Sequence, residues 1–124
     1  MATITAKLTL QGDGITSDAL SIIQTSVLNV ANPAIESGTL NVTDTAALLL
    51  PATAKRVYLY VKNTGTPTVS PNVNIQIVAS TANIAELAPG EWLFFPVEES
   101  LVLNVDSATA SKTSTVEYSY FAAG

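Results

Sequence analysis

The chain contains no histidine and no cysteine among its 124 residues. This double absence excludes catalytic triads built on histidine, cysteine nucleophiles, the common zinc sites and a disulfide framework. A chain without cysteine is also typical of a protein made in a reducing cytoplasm. The composition therefore argues against most classes of enzyme, and we expect no catalytic residues, no cofactor and no metal.

Charge is scarce as well, because charged residues make up only 12% of the chain, about half the usual share of roughly 25%. The five basic residues are outnumbered by ten acidic ones, which leaves a net charge of −5. The basic residues are scattered along the sequence: Lys7, Lys55, Arg56, Lys62 and Lys112. Nucleic-acid binding requires clustered lysine and arginine to neutralise phosphates, so we expect no nucleic-acid partner.

Long hydrophobic runs are missing too. The two longest uncharged stretches, 19–35 and 63–85, are interrupted by proline, asparagine and threonine, so neither has the continuous apolar length that crosses a bilayer. The N-terminal segment alternates between apolar and polar residues and lacks the apolar centre of a signal peptide. We therefore expect no membrane partner.

The strongest positive signal is an alternation of period two, which indicates strands with one buried face. Val57, Leu59 and Val61, for example, alternate with Tyr58 and Tyr60. The pattern predicts strands near 3–10, 18–29, 38–43, 56–62, 72–79, 91–96, 100–105 and 115–121. Strands of this length separated by turn residues predict an all-β protein, an antiparallel β-sandwich or jelly roll of about eight short strands.

Turn-forming residues divide these runs. Asn32-Pro33 predicts a turn, and Pro89-Gly90 predicts a type II turn with a positive φ at the glycine. One short helical turn is predicted over 43–50, because Thr43-Asp44-Thr45 can cap it and Pro51 ends it. We predict a single domain over 1–124, with residues 1–35 as an extended or domain-swapped N-terminal arm.

Aromatic residues supply the candidate interaction site. They occur in pairs that share a strand face: Tyr58 and Tyr60, Trp92 and Phe94, Tyr118 and Tyr120. Two hypotheses fit such pairs. They fill the core or a subunit interface, with hydroxyl groups at the rim, or they form an exposed platform on which sugar rings stack. We favour the first, because a sugar site also requires polar groups that converge on the ligand.

Carboxylates are the remaining acid–base groups. Glu98 and Glu99 are adjacent, and neighbouring residues of a strand point to opposite faces, so we interpret them as part of a solvated loop. An enzyme that uses carboxylates alone, such as a glycoside hydrolase, requires two of them opposed across a cleft. This third class of function is the weakest of those considered.

The second half of the sequence resembles a known group of proteins. It contains YLYVKNTG at 58–65, LAPGEWLFFP at 87–96 and VEYSYF at 116–121. Similar segments recur in this order in small virion proteins of tailed bacteriophages. The opening, 2–10 followed by 17–21, is similar to the start of the same proteins.

This resemblance implies a non-enzymatic virion structural protein. The form that we expect is a capsid decoration (cement) protein, made in the host cytoplasm and placed on the capsid surface, where it stabilises the shell. Its partners would be the major capsid protein and further copies of itself, and a homotrimer matches the local three-fold positions of an icosahedral lattice. The alternative is a small tail or fibre component that binds a host glycan or receptor.

Overall fold

The structure, a computed structural model, describes residues 2–14 and 20–124, and for residues 32–35 it describes the backbone only. Within these ranges the chain forms strands and no helix, and so no helix that could cross a membrane. The strands are β1 (Ala2–Gly12), β2 (Leu20–Val42), β3 (Ala47–Leu50), β4 (Val57–Asn63), β5 (Val73–Ile77), β6 (Ala82–Leu87), β7 (Trp92–Val97), β8 (Leu103–Ser107) and β9 (Ser114–Ala123). The predicted all-β class is confirmed.

The chain divides into two compact units. We call Met1–Pro33 with Ala123–Gly124 the ribbon, and Ala34–Ala122 the sandwich. Strand β2 contributes its residues 20–33 to the ribbon and its residues 34–42 to the sandwich. Exchange of residues 1–35 between copies stays a prediction.

The ribbon is an antiparallel pair of strands. Its register is unbroken from Ala2 opposite Val30 to Gly12 opposite Leu20. Because directly opposed residues of such a pair share a face, one face is apolar over most of its length. This apolar face comprises Ala2, Ile4, Ala6, Leu8, Leu10, Leu20, Ile22, Leu28 and Val30.

The sandwich consists of two sheets with strand orders β2-β9-β4-β7 and β3-β8-β5-β6. If the strands β2 to β9 are renumbered 1 to 8, one sheet has the order 1-8-3-6 and the other has the order 2-7-4-5. This is the strand order of a jelly roll. The prediction of an antiparallel β-sandwich or jelly roll is confirmed.

The core of the sandwich is built from the inward-facing side chains of both sheets, as the alternation predicts. Its buried members are Val42, Leu49, Leu50, Val57, Leu59, Val61, Val73, Ile75, Leu87, Val97, Leu103, Val105 and Val116. β-branched and leucine side chains dominate this set, which suits a pleated surface.

A buried asparagine organises one end of the sandwich. The Asn63 side-chain amide donates to the carbonyl groups of Pro71 (3.1 Å) and Leu87 (2.9 Å). Its oxygen accepts from the Gly65 N–H (3.0 Å) and from the Ser114 hydroxyl (2.7 Å). Every hydrogen-bonding position of this side chain is thus used, which is what full burial of an amide requires.

The helical turn predicted over 43–50 is wrong, because Ala47–Leu50 form strand β3. The Thr43 hydroxyl accepts a hydrogen bond from the Thr45 N–H (3.2 Å), so the capping signal produces a local turn only. Leu49 and Leu50 are both buried in the core. Burial of these two side chains against the facing sheet decides the conformation over the local preference.

The turn predicted at Asn32-Pro33 is also wrong, since the backbone of β2 stays extended from Leu20 to Val42. The fixed φ of proline suits an extended strand, and the residue before proline is itself pushed toward the β region. The predicted strands at 18–29 and 38–43 are therefore parts of one element, of which residues 18 and 19 lie outside the described ranges.

Strand β6 lies between β5 and β7 and is not predicted by the sequence pattern, because its alanine, asparagine and glutamate residues are poor strand formers. The turn at 88–91 is confirmed. Gly90 has a φ of 91°, and the Glu91 N–H donates to the Ala88 carbonyl at 2.9 Å.

Candidate functional site

The candidate site lies on the outer surface of the sandwich sheet that contains β4, β7 and β9. The inward residues of these strands pack in or against the core. Since side chains alternate along a strand, their neighbours point outward. We call this surface the outer aromatic face, and it consists of Tyr58, Tyr60, Trp92, Phe94, Pro96 and Phe121.

Strand register arranges the face in three rows. Each row takes one residue from β7, one from β4 and one from β9. The rows are Pro96–Tyr58–Phe121, Phe94–Tyr60–Ser119 and Trp92–Lys62–Glu117. Aromatic character is concentrated in the first two rows, and polar groups border them at Ser119, Lys62 and Glu117.

Tyr58 lies at the more enclosed end of the face and is only 7% exposed. The Phe94 ring stacks beside it at a centroid distance of 6.3 Å. The Arg56 guanidinium lies 5.3 Å from the Tyr58 ring centre and donates to its hydroxyl at 3.0 Å. This end is therefore a packed aromatic cluster with a cation over one ring.

Tyr60 lies at the centre and is tied to the neighbouring strand. Its hydroxyl donates to Glu117 Oε1 at 2.7 Å. Burial, this hydrogen bond and the nearby carboxylate charge together raise the pKa of Tyr60 to about 12. The pair holds a neutral phenol and a carboxylate beside each other, which are a hydrogen-bond donor and an acceptor.

Trp92 lies at the opposite end and is 51% exposed. It is directly opposite Lys62 in the β4–β7 pair. It is also the single tryptophan of the chain. An exposed indole opposite a lysine can stack on a sugar ring or pack against a protein surface.

Tyr118 and Tyr120 point to the other side of the sheet, where they pack against the core. Their rings are stacked with a centroid distance of 6.4 Å. A Cβ atom at Gly38 would lie 2.9 Å from the Tyr118 hydroxyl, so the glycine leaves space for this ring. Burial, and then the charge of Glu36, raise the pKa of Tyr120.

The structure thus brings four of the six candidate aromatic residues together. Tyr58, Tyr60, Trp92 and Phe94 share the outer aromatic face, whereas Tyr118 and Tyr120 lie on the core side. Sequence reasoning did not include the residues that complete the surface: Arg56, Lys62, Pro96, Glu117 and Phe121. Alternation alone could have added Lys62 to Tyr58 and Tyr60, but the partners on β9 depend on a register that one sequence does not display.

The acidic candidates do not form a comparable site. Glu98 and Glu99 are exposed in the connection between β7 and β8, as expected for a solvated loop. Within residues 2–14 and 20–124, no cluster of three or more potential metal ligands among histidine, cysteine, aspartate and glutamate is found.

Comparison with known proteins shows low similarity. No protein-family model matches the chain, and no curated protein matches it significantly. One similar solved structure is described as Bacillus endospore appendages that form a novel family of disulfide-linked pili. It has 15% identity and a TM-score of 0.46, over 73% of this chain and 88% of that one. Another is the Fe(II) form of HppE, with 15% identity and a TM-score of 0.49, over 93% of this chain and 56% of that one.

Proposed function

We propose that the protein is a non-enzymatic structural subunit of a larger particle, in its most specific form a capsid decoration protein of a tailed bacteriophage. The observation that carries this proposal is the ribbon, in which five large apolar side chains are exposed: Leu8, Leu10, Ile22, Ile23 and Val27. Leu10 is 44% exposed on the apolar face, and Val27 is 66% exposed on the opposite one. Exposed apolar surface of this kind favours a protein partner.

The ribbon also has too few strands to be stable alone. A two-stranded antiparallel pair is marginal in water, and additional strands or a covering layer are required for independent stability. In the ribbon, exposure on the apolar face increases from 6% at Val30 to 44% at Leu10. The end of the ribbon near Leu10 is therefore the part that gains most from a partner.

The low charge of the ribbon reduces the free energy of desolvation that such an association requires. The described ribbon residues contain two charged side chains, Lys7 and Asp13. Threonine, serine and asparagine fill most of the polar positions, and their hydroxyl and amide groups cost less to desolvate than charges do. A surface of this composition can be buried against a shell or against further copies.

The phage resemblance of the sequence supports a shell as the partner. In this proposal the ribbon and the outer aromatic face contact the major capsid protein and neighbouring copies. The resulting contacts resist expansion of the shell, and a trimer at each local three-fold position is the arrangement that we propose.

Quantitative mass spectrometry of purified source particles tests this role. We expect a copy number equal to the major capsid protein or to a simple fraction of it. A few copies per particle would place the protein in the tail or a fibre. Complete absence from the particle would contradict the virion role altogether.

A second candidate function is glycan binding by a fibre component. The specific observation in its favour is the exposure of Trp92 at the edge of the outer aromatic face, with Lys62 opposite it and Glu117 one strand further along the same row. Because Trp92 is the single tryptophan, its fluorescence reports on this surface alone. Titration with host surface polysaccharide should shift the emission of the native chain, and an unchanged spectrum would contradict glycan binding.

A further inference from the structure

Strand β1 differs from the edge strands β3, β6 and β7 in having little protection against strand pairing. Edge strands expose unpaired main-chain groups, and proteins usually blunt them with proline, bulges, charges or short length. In the sandwich, the edge strand β7 carries Pro96, and the edge strand β3 has only four residues. The edge strand β6 has a register shift against β5 between Ile75 and Gln76.

Strand β1 has none of these features apart from one charge. It is 11 residues long, contains no proline and pairs with β2 without a register shift. Lys7 is its single charged residue. Its second edge has no partner strand within the part of the chain that the structure describes. An edge of this length and regularity is a template for another strand.

The sequence of β1 is nearly symmetric about Ala6. If an antiparallel copy of the strand is placed opposite it with Ala6 facing Ala6, each position meets a residue of its own kind. The opposed pairs are Ala2 with Leu10, Thr3 with Thr9, Ile4 with Leu8, and Thr5 with Lys7. Apolar residues then face apolar residues, threonine faces threonine, and both kinds of pair stabilise a sheet.

Two other kinds of register are less favourable. A shift that brings the strands one residue out of phase would join the apolar face of one copy to the polar face of the other. A pairing centred on Lys7 would place two lysines directly opposite each other, which is destabilising. The arrangement about Ala6 avoids both problems.

We infer that β1 pairs antiparallel with β1 of a second copy, centred on Ala6, to give a continuous sheet in the order β2-β1-β1-β2. This inference rests on the proposed structural role and specifies a contact between copies that belong to neighbouring trimers, because a two-fold symmetric pair cannot form within one trimer. The four-stranded sheet meets the requirement for more than two strands. It also removes the unprotected edge of both copies at once, as a two-fold symmetric interface allows.

Single-cysteine variants test the register directly, because the native chain has no cysteine. Directly opposed residues of an antiparallel pair have Cα atoms about 4.5–5.5 Å apart, within the range that a disulfide spans. Under mild oxidation, Ala6→Cys should form a disulfide-linked dimer ~10-fold or more faster than Thr113→Cys, a control in an exposed turn of the sandwich. Non-reducing electrophoresis measures the rate.

A mixed experiment checks the same register from a different pair of positions. In the proposed sheet Thr9 of one copy lies roughly 20 Å from Thr9 of the other, about six residues along the strand. Neither Thr3→Cys nor Thr9→Cys should therefore cross-link alone, whereas an equal mixture should give the heterodimer. Both side chains are exposed, so access of the oxidant is the same in both variants.

The outcomes separate this inference from the proposed function. If the native chain is oligomeric by light scattering but Ala6→Cys reacts no faster than Thr113→Cys, the inference is overturned and the structural role stands. Lys7→Cys and Leu8→Cys are oxidised in parallel, and faster cross-linking of either than of Ala6→Cys overturns the register. A mixture of Thr3→Cys and Thr9→Cys that yields no heterodimer overturns it as well. A chain that is monomeric at all concentrations and absent from the particle overturns both proposals.

Discussion

The ribbon and the sandwich use the same sequence pattern with opposite results. Both are built from strands in which apolar and polar residues alternate. In the sandwich the apolar faces of two sheets cover each other, and residues such as Leu59 and Ile75 are completely buried. In the ribbon, equivalent residues such as Leu8 and Leu10 remain 38% and 44% exposed. Alternation thus identifies which residues share a face but does not reveal whether another layer covers that face.

The largest difference between the two units is expected when one leucine in each is shortened to alanine. Leu59→Ala should lower the free energy of unfolding by about 2–5 kcal/mol, because it removes packed atoms and leaves a cavity. Leu10→Ala should change it by less than about 1 kcal/mol, since the side chain is largely in water. Chemical denaturation measures both. Equal effects would show that the two faces are covered to the same extent.

Polar groups offer a second contrast. Asn63→Ala should destabilise the sandwich by about 1–3 kcal/mol, because the Ser114 hydroxyl and buried carbonyl groups lose their partner. Asn29→Ala in the ribbon removes an exposed amide and should stay within about 0.5 kcal/mol of the native value. Thermal unfolding of the two variants provides the measurement, and a larger loss for Asn29→Ala would contradict the assignment of the buried cluster.

Alkaline pH should act on the sandwich through Tyr60, whereas the ribbon sequence contains no tyrosine. The pKa of Tyr60 is raised from its ordinary value of 10.0 to about 12. Between these values the unfolded chain loses the phenolic proton and the folded chain keeps it. The contribution of Tyr60 to stability is therefore present below pH 10 and is lost as the pH rises toward 12.

Tyr60→Phe supplies the control for this prediction. Its unfolding free energy should decline less steeply above pH 10 than that of the native chain. Ultraviolet absorbance of tyrosinate should also show one late-ionising group fewer. Identical alkaline profiles for the two proteins would mean that neither burial nor the contact with Glu117 raises the pKa of the Tyr60 phenol.

The smallest effect on stability is expected for charges placed at the end of the ribbon. Leu10→Glu with Ile22→Glu should leave the unfolding of the sandwich within about 0.5 kcal/mol of native, because both side chains are already exposed. The same change should reduce self-association measured by light scattering. A matched variant with glutamate at Ser80 and Thr113, in exposed turns of the sandwich, should assemble normally. Loss of the sandwich fold in the ribbon variant would contradict the prediction that the sandwich is stable independently of the end of the ribbon.

The sequence predicts the fold well wherever local pattern and burial agree. The strands around Val57–Asn63 and Trp92–Val97 and the turn at Gly90 follow from alternation and from the backbone freedom of glycine. The errors occur where distant contacts decide. Leu49 and Leu50 look like part of a helical turn until the facing sheet is present, and β6 has weak strand formers that pair with β5.

The candidate site was predictable in part, for a related reason. Tyr58 and Tyr60, and likewise Trp92 and Phe94, could be assigned to common faces from spacing within each strand. The direction of each face requires knowledge of which side meets the core, and this is why Tyr118 and Tyr120 could not be separated from the others. The pairing of Tyr60 with Glu117 spans a separation of 57 residues and is set by the order of strands in the sheet.

The Asn63 cluster joins segments that are far apart in the sequence. Its side chain bonds to Gly65 nearby, to Leu87 at a separation of 24 residues and to Ser114 at a separation of 51. Because closing long loops costs chain entropy before the distant contact is gained, the cluster can be completed only after β9 has joined the sheet. Contacts that form late in folding act mainly on the rate of unfolding. We therefore expect Asn63→Ala to raise the rate of unfolding more than it lowers the rate of folding.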